Sequence, residues 1–328
     1  MRARALALLA AIASLSAIAS LSAGAASAGP LDLPKGDFKT EVVQTIPEKD
    51  WTETVLRFPS AVKSPWPPND TVWAHLLVPR SLAGRKAPAV LVLPVMAAPN
   101  VWIETRFANR FARDGFVVMW LEMPTQFHRR PNPSEPSGQV FLARTTRQLA
   151  ANFRQSVLDA RRALGVLSAR PEVAPDRIAL FGISLGAIVS SVVYTVDARP
   201  RFAALLLGGA GFPSLLINSS LTGPFARKMG IGLADLKAAW AGLDPSEHPE
   251  LNAVKPALLV NAGWDTVIPR ANAAQLRAAF PAARQVWVPG GHYTSIIHMF
   301  WLPGWVSRQL QEALKAPAAR GAEGVKNR

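Results

Sequence analysis

The stretch "RIALFGISLGAIVSSVV", residues 177–193, decides how the rest of the chain is read. It begins as a tight apolar run, meets Gly-Ile-Ser-Leu-Gly, and continues as an apolar stretch rich in small residues. An apolar run closed by glycine reads as a buried strand, and the segment that follows reads as a helix. Ser184 therefore falls on the turn between the two. A lone G-x-S-x-G is a weak pattern, because Gly and Ser are both common; a strand before it and a helix after it give it content. On so sharp a turn, bulky neighbours would strike the strand or the helix, and Gly182 and Gly186 remove them. Ala187 is small as well. The amino end of the following helix points toward the serine and favours negative charge developing there. Ser184 is a candidate nucleophile.

The same alternation extends in both directions. "APAVLVLPV" (87–95) is a continuous apolar run suited to a strand buried on both faces. Residues 101–113 read as a helix, with Trp102, Phe107 and Phe111 spaced to share a face. "GFVVMWLEMP" (115–124) is the next strand, "TQFHRRPNPSEPSGQ" (125–139) a polar loop, and 141–168 a long helix. Beyond the elbow, "FAALLLGGAG" (202–211), "PALLVNAGWD" (256–265) and "QVWVPGG" (285–291) read as strands. Helices are expected at 271–280 and 299–315, the latter kinked near Pro303. Upstream, residues 29–49 form an extended lead-in. Two β-like runs follow, 53–58 and 71–78, joined by the Pro-rich "SPWPPND". Residues 212–254 break the rhythm as a partly helical, lid-like insertion. Strands alternating with helices imply an α/β fold: a mostly parallel sheet of about eight strands, helices on both faces, in a single domain over 29–328.

The chain has 328 residues, of which 49% are hydrophobic and 18% charged, ample for a large core. Residues 1–28 read apart from the fold. Arg2 and Arg4 form a short basic start, an apolar Ala/Leu-rich stretch runs to about Leu21, and Ala26-Ser27-Ala28 offers an A-x-A site. This is the pattern of a signal peptide cut after Ala28, so an exported protein, periplasmic or secreted, is expected. The alternative is an uncleaved anchor, against which the interrupting serines argue. No later stretch is apolar for long enough to span a bilayer, so no stable membrane insertion is expected after cleavage. The chain contains no cysteine, which excludes disulfides, thiolate metal sites and a cysteine nucleophile. Lys and Arg total 36 against 22 Asp and Glu, a formal charge of +14; without Arg2 and Arg4 the balance is 34 against 22, or +12. The basic residues are scattered, with Arg129-Arg130 and Arg161-Arg162 the densest pairs. A nucleic-acid binder would gather them with aromatics on one stripe, so nucleic acid is not an expected partner.

A serine hydroxyl needs a base, and the base needs an orienting acid. Of the five histidines, His75 lies in an early strand, His128 in the Pro-rich loop, His248 in "PSEHPE" and His298 near the closing helix. These four read as surface or hydrogen-bonded structural residues. His292 follows "VPGG" at the end of the last strand, where glycines let the chain turn, and is the candidate base. The acid is expected between serine and histidine in chain order. Asp265 ends "ALLVNAGWD" and can reach a histidine on the next strand's loop. It also reads as a helix N-cap ahead of Ile268-Pro269. Asp244 and Glu247 in the insertion are fallbacks.

"GISLGA", "NAGWDTVIP" and "GGHY" together resemble the α/β-hydrolase superfamily over about residues 53–315. "SVLDARRALGVLSARPEVAPDRIALFGISLGA" is similar to the branch of dienelactone hydrolases, acetyl-xylan-type esterases and prolyl-oligopeptidase-like enzymes. Asp159, Arg161, Asp176 and Arg177 fit that branch's pattern and read as structural. The resemblance implies the α/β-hydrolase fold, Ser184 as nucleophile, His292 as base and Asp265 as its partner. It also implies a small-molecule ester as substrate and no metal or organic cofactor. Many relatives carry His-Gly after the third strand, where this chain has "LPVMAAPNVW". Because backbone amides do the work of an oxyanion hole, the implied donors are Leu185 N–H and that of Met96 or Ala97. Trp102, Phe212 and Trp264 either wall an apolar pocket or pack in the core. Amide or peptide cleavage by the same three residues, and a non-catalytic binding role on the same fold, stay open to the sequence.

Overall fold

The structure, a computed structural model, describes residues 31–97, 99–142 and 145–315. The expected signal peptide at 1–28 lies outside the described residues. The fold described below is that of the unit beginning at Leu33. Its strands are β1 (Glu41–Pro47), β2 (Trp51–Pro59), β3 (Thr71–Pro79), β4 (Ala87–Leu93), β5 (Val117–Leu121), β6 (Val173–Ile183), β7 (Pro200–Leu206), β8 (Ala257–Ala262) and β9 (Arg284–Val288). The helices are α1 (Trp102–Arg113), α2 (Thr146–Ser168), α3 (Leu185–Val196), α4 (Phe212–Asn218), α5 (Gly223–Lys228), α6 (Leu233–Trp240), α7 (Pro249–Asn252), α8 (Arg270–Ala279) and α9 (Leu302–Lys315).

The strands make one sheet in the order β1-β2-β3-β5-β4-β6-β7-β8-β9. Pairing is antiparallel from β1 through β3 to β5, and parallel from β5 onward. The mostly parallel sheet inferred from the alternation is therefore present, with nine strands rather than eight. The additional one is β1, an edge strand mostly exposed to solvent and lacking the apolar alternation that marks a half-buried strand. β4, β5 and β8 are buried nearly throughout, as parallel strands covered on both faces must be. Val90, Val92 and Phe181 pack under α1 and α9; Phe107 lies tilted against Phe181 and Phe111 edge-on to it, with ring centroids 4.5 and 5.2 Å away. The alternate residues Leu91 and Leu180 point to the other face, against which α2 and α3 pack.

Two helix boundaries differ from the sequence reading. The helix expected from residue 141 starts at Thr146, where Thr145 Oγ1 accepts Gln148 N–H at 3.2 Å as an N-cap. The closing helix is not kinked at Pro303. It starts at Leu302, so Pro303 lies in the first turn, where no amide proton is needed, and residues Thr294–Phe300 form a separate 3₁₀ segment. The 212–254 insertion is partly helical, carrying the short helices α4 to α7.

The long loop after β5 is held by a buried polar network. Arg129, half of one of the densest basic pairs, is only 1% exposed. Its Nη2 donates to Asp159 Oδ2 at 2.6 Å and to Asn69 O at 2.7 Å. Asp159 Oδ1 in turn accepts from Ser60 Oγ at 2.7 Å and Ala61 N–H at 3.0 Å. So α2, the 60–70 segment and the loop share one ion pair. Among the described residues, no helix is long and apolar enough to cross a membrane.

Strand order fixes where a site can form. From β4 the chain goes to β5 on one side and then to β6 on the other. The loops leaving the carboxyl ends of β4 and β6 diverge, and the crevice between them is where such sheets bind ligands.

Candidate active site

β6 runs directly into α3, and Ser184 is the only residue between them, at φ 54° and ψ −117°. A positive φ at a residue with a side chain is strained and persists only where the surroundings enforce it. Here they do. A Cβ on Gly182 would lie 2.2 Å from Gly186 O, and one on Gly186 would lie 2.0 Å from Leu93 O. Both glycines are steric requirements of the turn. Ser184 N–H donates to Leu206 O at 2.9 Å and ties the turn to β7. Leu185 N–H belongs to the first turn of α3 and has no intrahelical acceptor.

Two neighbouring loops meet this serine. Gly263 N–H donates to Val288 O at 2.9 Å and Trp264 N–H to Gly290 O at 2.9 Å. These bonds clamp the loop after β8 to the loop after β9. Asp265 Oδ2 then lies 2.8 Å from His292 Nδ1, and His292 Nε2 lies 2.9 Å from Ser184 Oγ. A carboxylate accepts the Nδ1 proton, so Nε2 is left as an acceptor for the serine hydroxyl. Asp265 also accepts Val267 and Ile268 N–H on Oδ1, each at 2.8 Å. One oxygen thus reaches the histidine, while the other caps a turn rather than a helix, because α8 starts only at Arg270 with Pro269 at its N-cap position. The fallback acids are engaged elsewhere: Asp244 with Phe212 N–H and Ser246, and Glu247 with Gly242 N–H. His298 supports the loop from below. Trp301 Nε1–H donates to its Nδ1, and its Nε2 donates to Pro289 O at 2.7 Å. His75 and His128 stack on Trp120 and Trp73 and pair with Glu53 and Glu122, away from the serine.

The loop after β4 carries Met96 and Ala97, the latter at φ 56°. Val95, just before them, is held on both sides: its N–H donates to Glu104 Oε1 at 2.9 Å, and its carbonyl accepts from Gln126 Nε2 at 2.7 Å. Glu104 is 1% exposed, and among the described residues its Oε2 has no hydrogen-bond partner. Nothing in the sequence singled it out. Burial pushes its carboxyl above the usual 4.5, against the pull of the Val95 bond. The folded state then holds a proton that the unfolded chain has already lost, so stability falls as pH rises from about 4.5 through the folded value. Glu104→Gln keeps an acceptor for Val95 and removes this titration. Relative to wild type, the variant should gain stability with rising pH, at up to about 1.4 kcal/mol per pH unit. The gain should then level off. Thermal melts from pH 4 to 9 check this, and parallel profiles for the two proteins would contradict it.

No family profile matches this chain, and no curated protein matches its sequence. Solved structures do match. An acetyl xylan esterase from a Paenibacillus species superposes with a TM-score of 0.60 at 18% identity, over 84% of this chain and 88% of that one. Acetyl xylan esterase 1 from a Thermoanaerobacterium species gives 0.60 at 16% identity, over 82% and 88%. An acylaminoacyl peptidase from Pyrococcus horikoshii gives 0.60 at 15% identity, over 84% of this chain and 43% of that one. This chain has the α/β-hydrolase fold.

Within this α/β-hydrolase fold, two cavities flank the serine. The larger, about 380 Å³, is walled by Ile103, Leu207, Val260, Ile296, Met299 and Leu302, and His292 opens onto it. The smaller, about 70 Å³, is walled by Phe141, Leu149, Phe153, Phe212, Leu216 and Trp240, and Leu185 opens onto it. Ser184, Met96 and Leu221 border both, while Ala97 borders the larger alone. Of the three aromatic residues weighed as pocket walls, only Phe212 is one. Trp102 is 47% exposed and Trp264 is 72% exposed, and neither borders either of these two cavities. Trp102 opens α1, and the face turned to the larger cavity is that of Ile103 and Phe107, one helix step away. Trp264 precedes Asp265 on a turn whose inward position the carboxylate takes. Among the described residues, no group of three or more His, Asp or Glu side chains is arranged to hold a metal.

Proposed function

We propose that this protein is an exported serine hydrolase that cleaves carboxylic esters through an acyl-enzyme. The observation that carries the reading is the unbroken hydrogen-bond chain Ser184–His292–Asp265, with the serine on a strained turn between two apolar cavities. Ser184 Oγ attacks the ester carbonyl carbon while His292 Nε2 takes its proton, and Asp265 orients the ring and stabilises the imidazolium. The oxyanion is received by Leu185 N–H and by Met96 N–H. Met96 is the better-placed second donor, since like Ser184 it borders both cavities and its peptide is anchored through Val95. His292 returns the proton to the leaving alkoxide, the alcohol departs, and a water activated by His292 releases the acid and restores the serine. Export is read from the pattern of residues 1–28.

The solved esterase structures with the same fold are consistent with this chemistry, and the peptidase among them makes amides the competing substrate. The test is fluorophosphonate labelling of the mature protein, with nitrophenyl acetate and the matched acetanilide as substrates. Labelling with ester turnover well above anilide turnover supports the proposal. Preference for the anilide replaces it with an amidase, and a folded protein that neither labels nor turns over ester refutes it.

A further inference from the structure

The two cavities differ in size and in what opens onto them, and this assigns the two halves of the substrate. The inference rests on the ester-hydrolase reading above. The tetrahedral carbon on Ser184 Oγ carries three other groups: the oxyanion, the leaving oxygen with its alcohol, and the acyl carbon. The oxyanion points to the amides. The leaving oxygen must receive its proton from His292 Nε2, so the alcohol lies on the histidine's side. His292 borders the larger cavity and not the smaller. The acyl group takes the remaining direction, toward the cavity that Leu185 borders and His292 does not.

Size and chemistry then set the class. At roughly 30 Å³ per heavy atom, the share a water occupies in the liquid, 70 Å³ admits about two or three heavy atoms and 380 Å³ about a dozen. One wall of the small cavity is built of packed aromatics: Phe153 lies 5.3 Å from Phe212 and 4.8 Å from Trp240, centroid to centroid. That wall is rigid rather than adaptable. The larger cavity offers few polar partners. Ser295 Oγ is committed to Gly291 O at 2.8 Å, and Tyr293 stands 68% exposed at the rim. A sugar buried there would leave hydroxyls unpaired, and each is costly. The geometry points to short-acyl esters, of about two to four carbons, of large apolar alcohols, with the acyl group in the 70 Å³ cavity and the alcohol in the 380 Å³ cavity.

Isomeric esters test the assignment directly. Octyl acetate and ethyl octanoate have the same atoms and nearly the same hydrophobicity, with the long chain on opposite sides of the ester. The expected kcat/KM for octyl acetate exceeds that for ethyl octanoate by at least about 100-fold, since a single misfitted methylene already discriminates 10- to 200-fold. Ile296→Trp, which fills the larger cavity from its rim, should lower octyl acetate turnover at least about 10-fold more than ethyl acetate turnover. Leu216→Ala, which enlarges the smaller cavity, should narrow the gap between the isomers. Equal rates, a preference for ethyl octanoate, or a labelled protein that cleaves neither isomer overturns the assignment while leaving the serine nucleophile standing. Failure to label overturns the hydrolase reading itself, so the two failures are distinguishable.

Discussion

Ser184→Ala is expected to lower kcat for ester hydrolysis by about 10^6-fold without unfolding the protein, the scale of loss seen when a triad serine is removed. The residual rate, about 10^3- to 10^4-fold over water, would come from the amides and from substrate binding. The size of the effect follows from how little else the hydroxyl does. Ser184 Oγ bonds to His292, and the turn is held by backbone contacts and by Gly182 and Gly186. Alanine meets the same strain at φ 54° as serine, so stability should change by no more than the net value of one hydrogen bond, about 1 kcal/mol. Single-turnover kinetics beside a thermal melt make the check. A folded variant keeping more than about one part in a hundred of wild-type turnover would remove Ser184 from the mechanism.

What the sequence makes legible follows from where the information resides. Ser184, Asp265 and His292 each follow a short apolar run, and in a parallel sheet such runs end on one edge. Knowing the strands therefore nearly places the three residues, and "GISLG" marks which loop is the sharpest. The α/β sheet itself is visible because β4, β5 and β8 are apolar throughout. The remainder depends on contacts that no local pattern encodes. β1 is exposed and gains its identity only by pairing with β2. Arg129 looks like a surface charge until Asp159, thirty residues on, is folded beneath it. The cavity walls turn on a single helix step. Trp102, the more conspicuous residue, faces outward with Arg106 over its ring, while Ile103 lines the larger cavity. Glu104 is invisible for the same reason: a carboxylate in a helix reads as exposed, and only the loop after β4 makes it an acceptor.

Asp265→Asn is expected to cost about 10^4-fold in kcat while preserving the fold, the loss that follows when the histidine's orienting acid becomes an amide. The two oxygens of Asp265 have separate duties, which makes the substitution informative. Oδ1 accepts from Val267 and Ile268 and shapes the turn into α8; Oδ2 accepts from His292. The two backbone donors demand an acceptor, so the asparagine carbonyl is drawn to the Oδ1 position and its NH₂ faces the imidazole. An NH₂ donates to Nδ1, which leaves the proton on Nε2, pointing at Ser184 Oγ. The ring then cannot take the serine's proton, although no atom has moved far. Asp265→Ala, by contrast, removes the acceptor for both backbone amides and adds a stability loss of about 1–3 kcal/mol for each left buried. The pair separates orientation from architecture: Asn should be inactive at near wild-type melting temperature, and Ala inactive at a lower one. If Asn retained more than about a tenth of wild-type kcat, the carboxylate would be a turn residue only, and the acid of the proposed mechanism would have to be sought elsewhere.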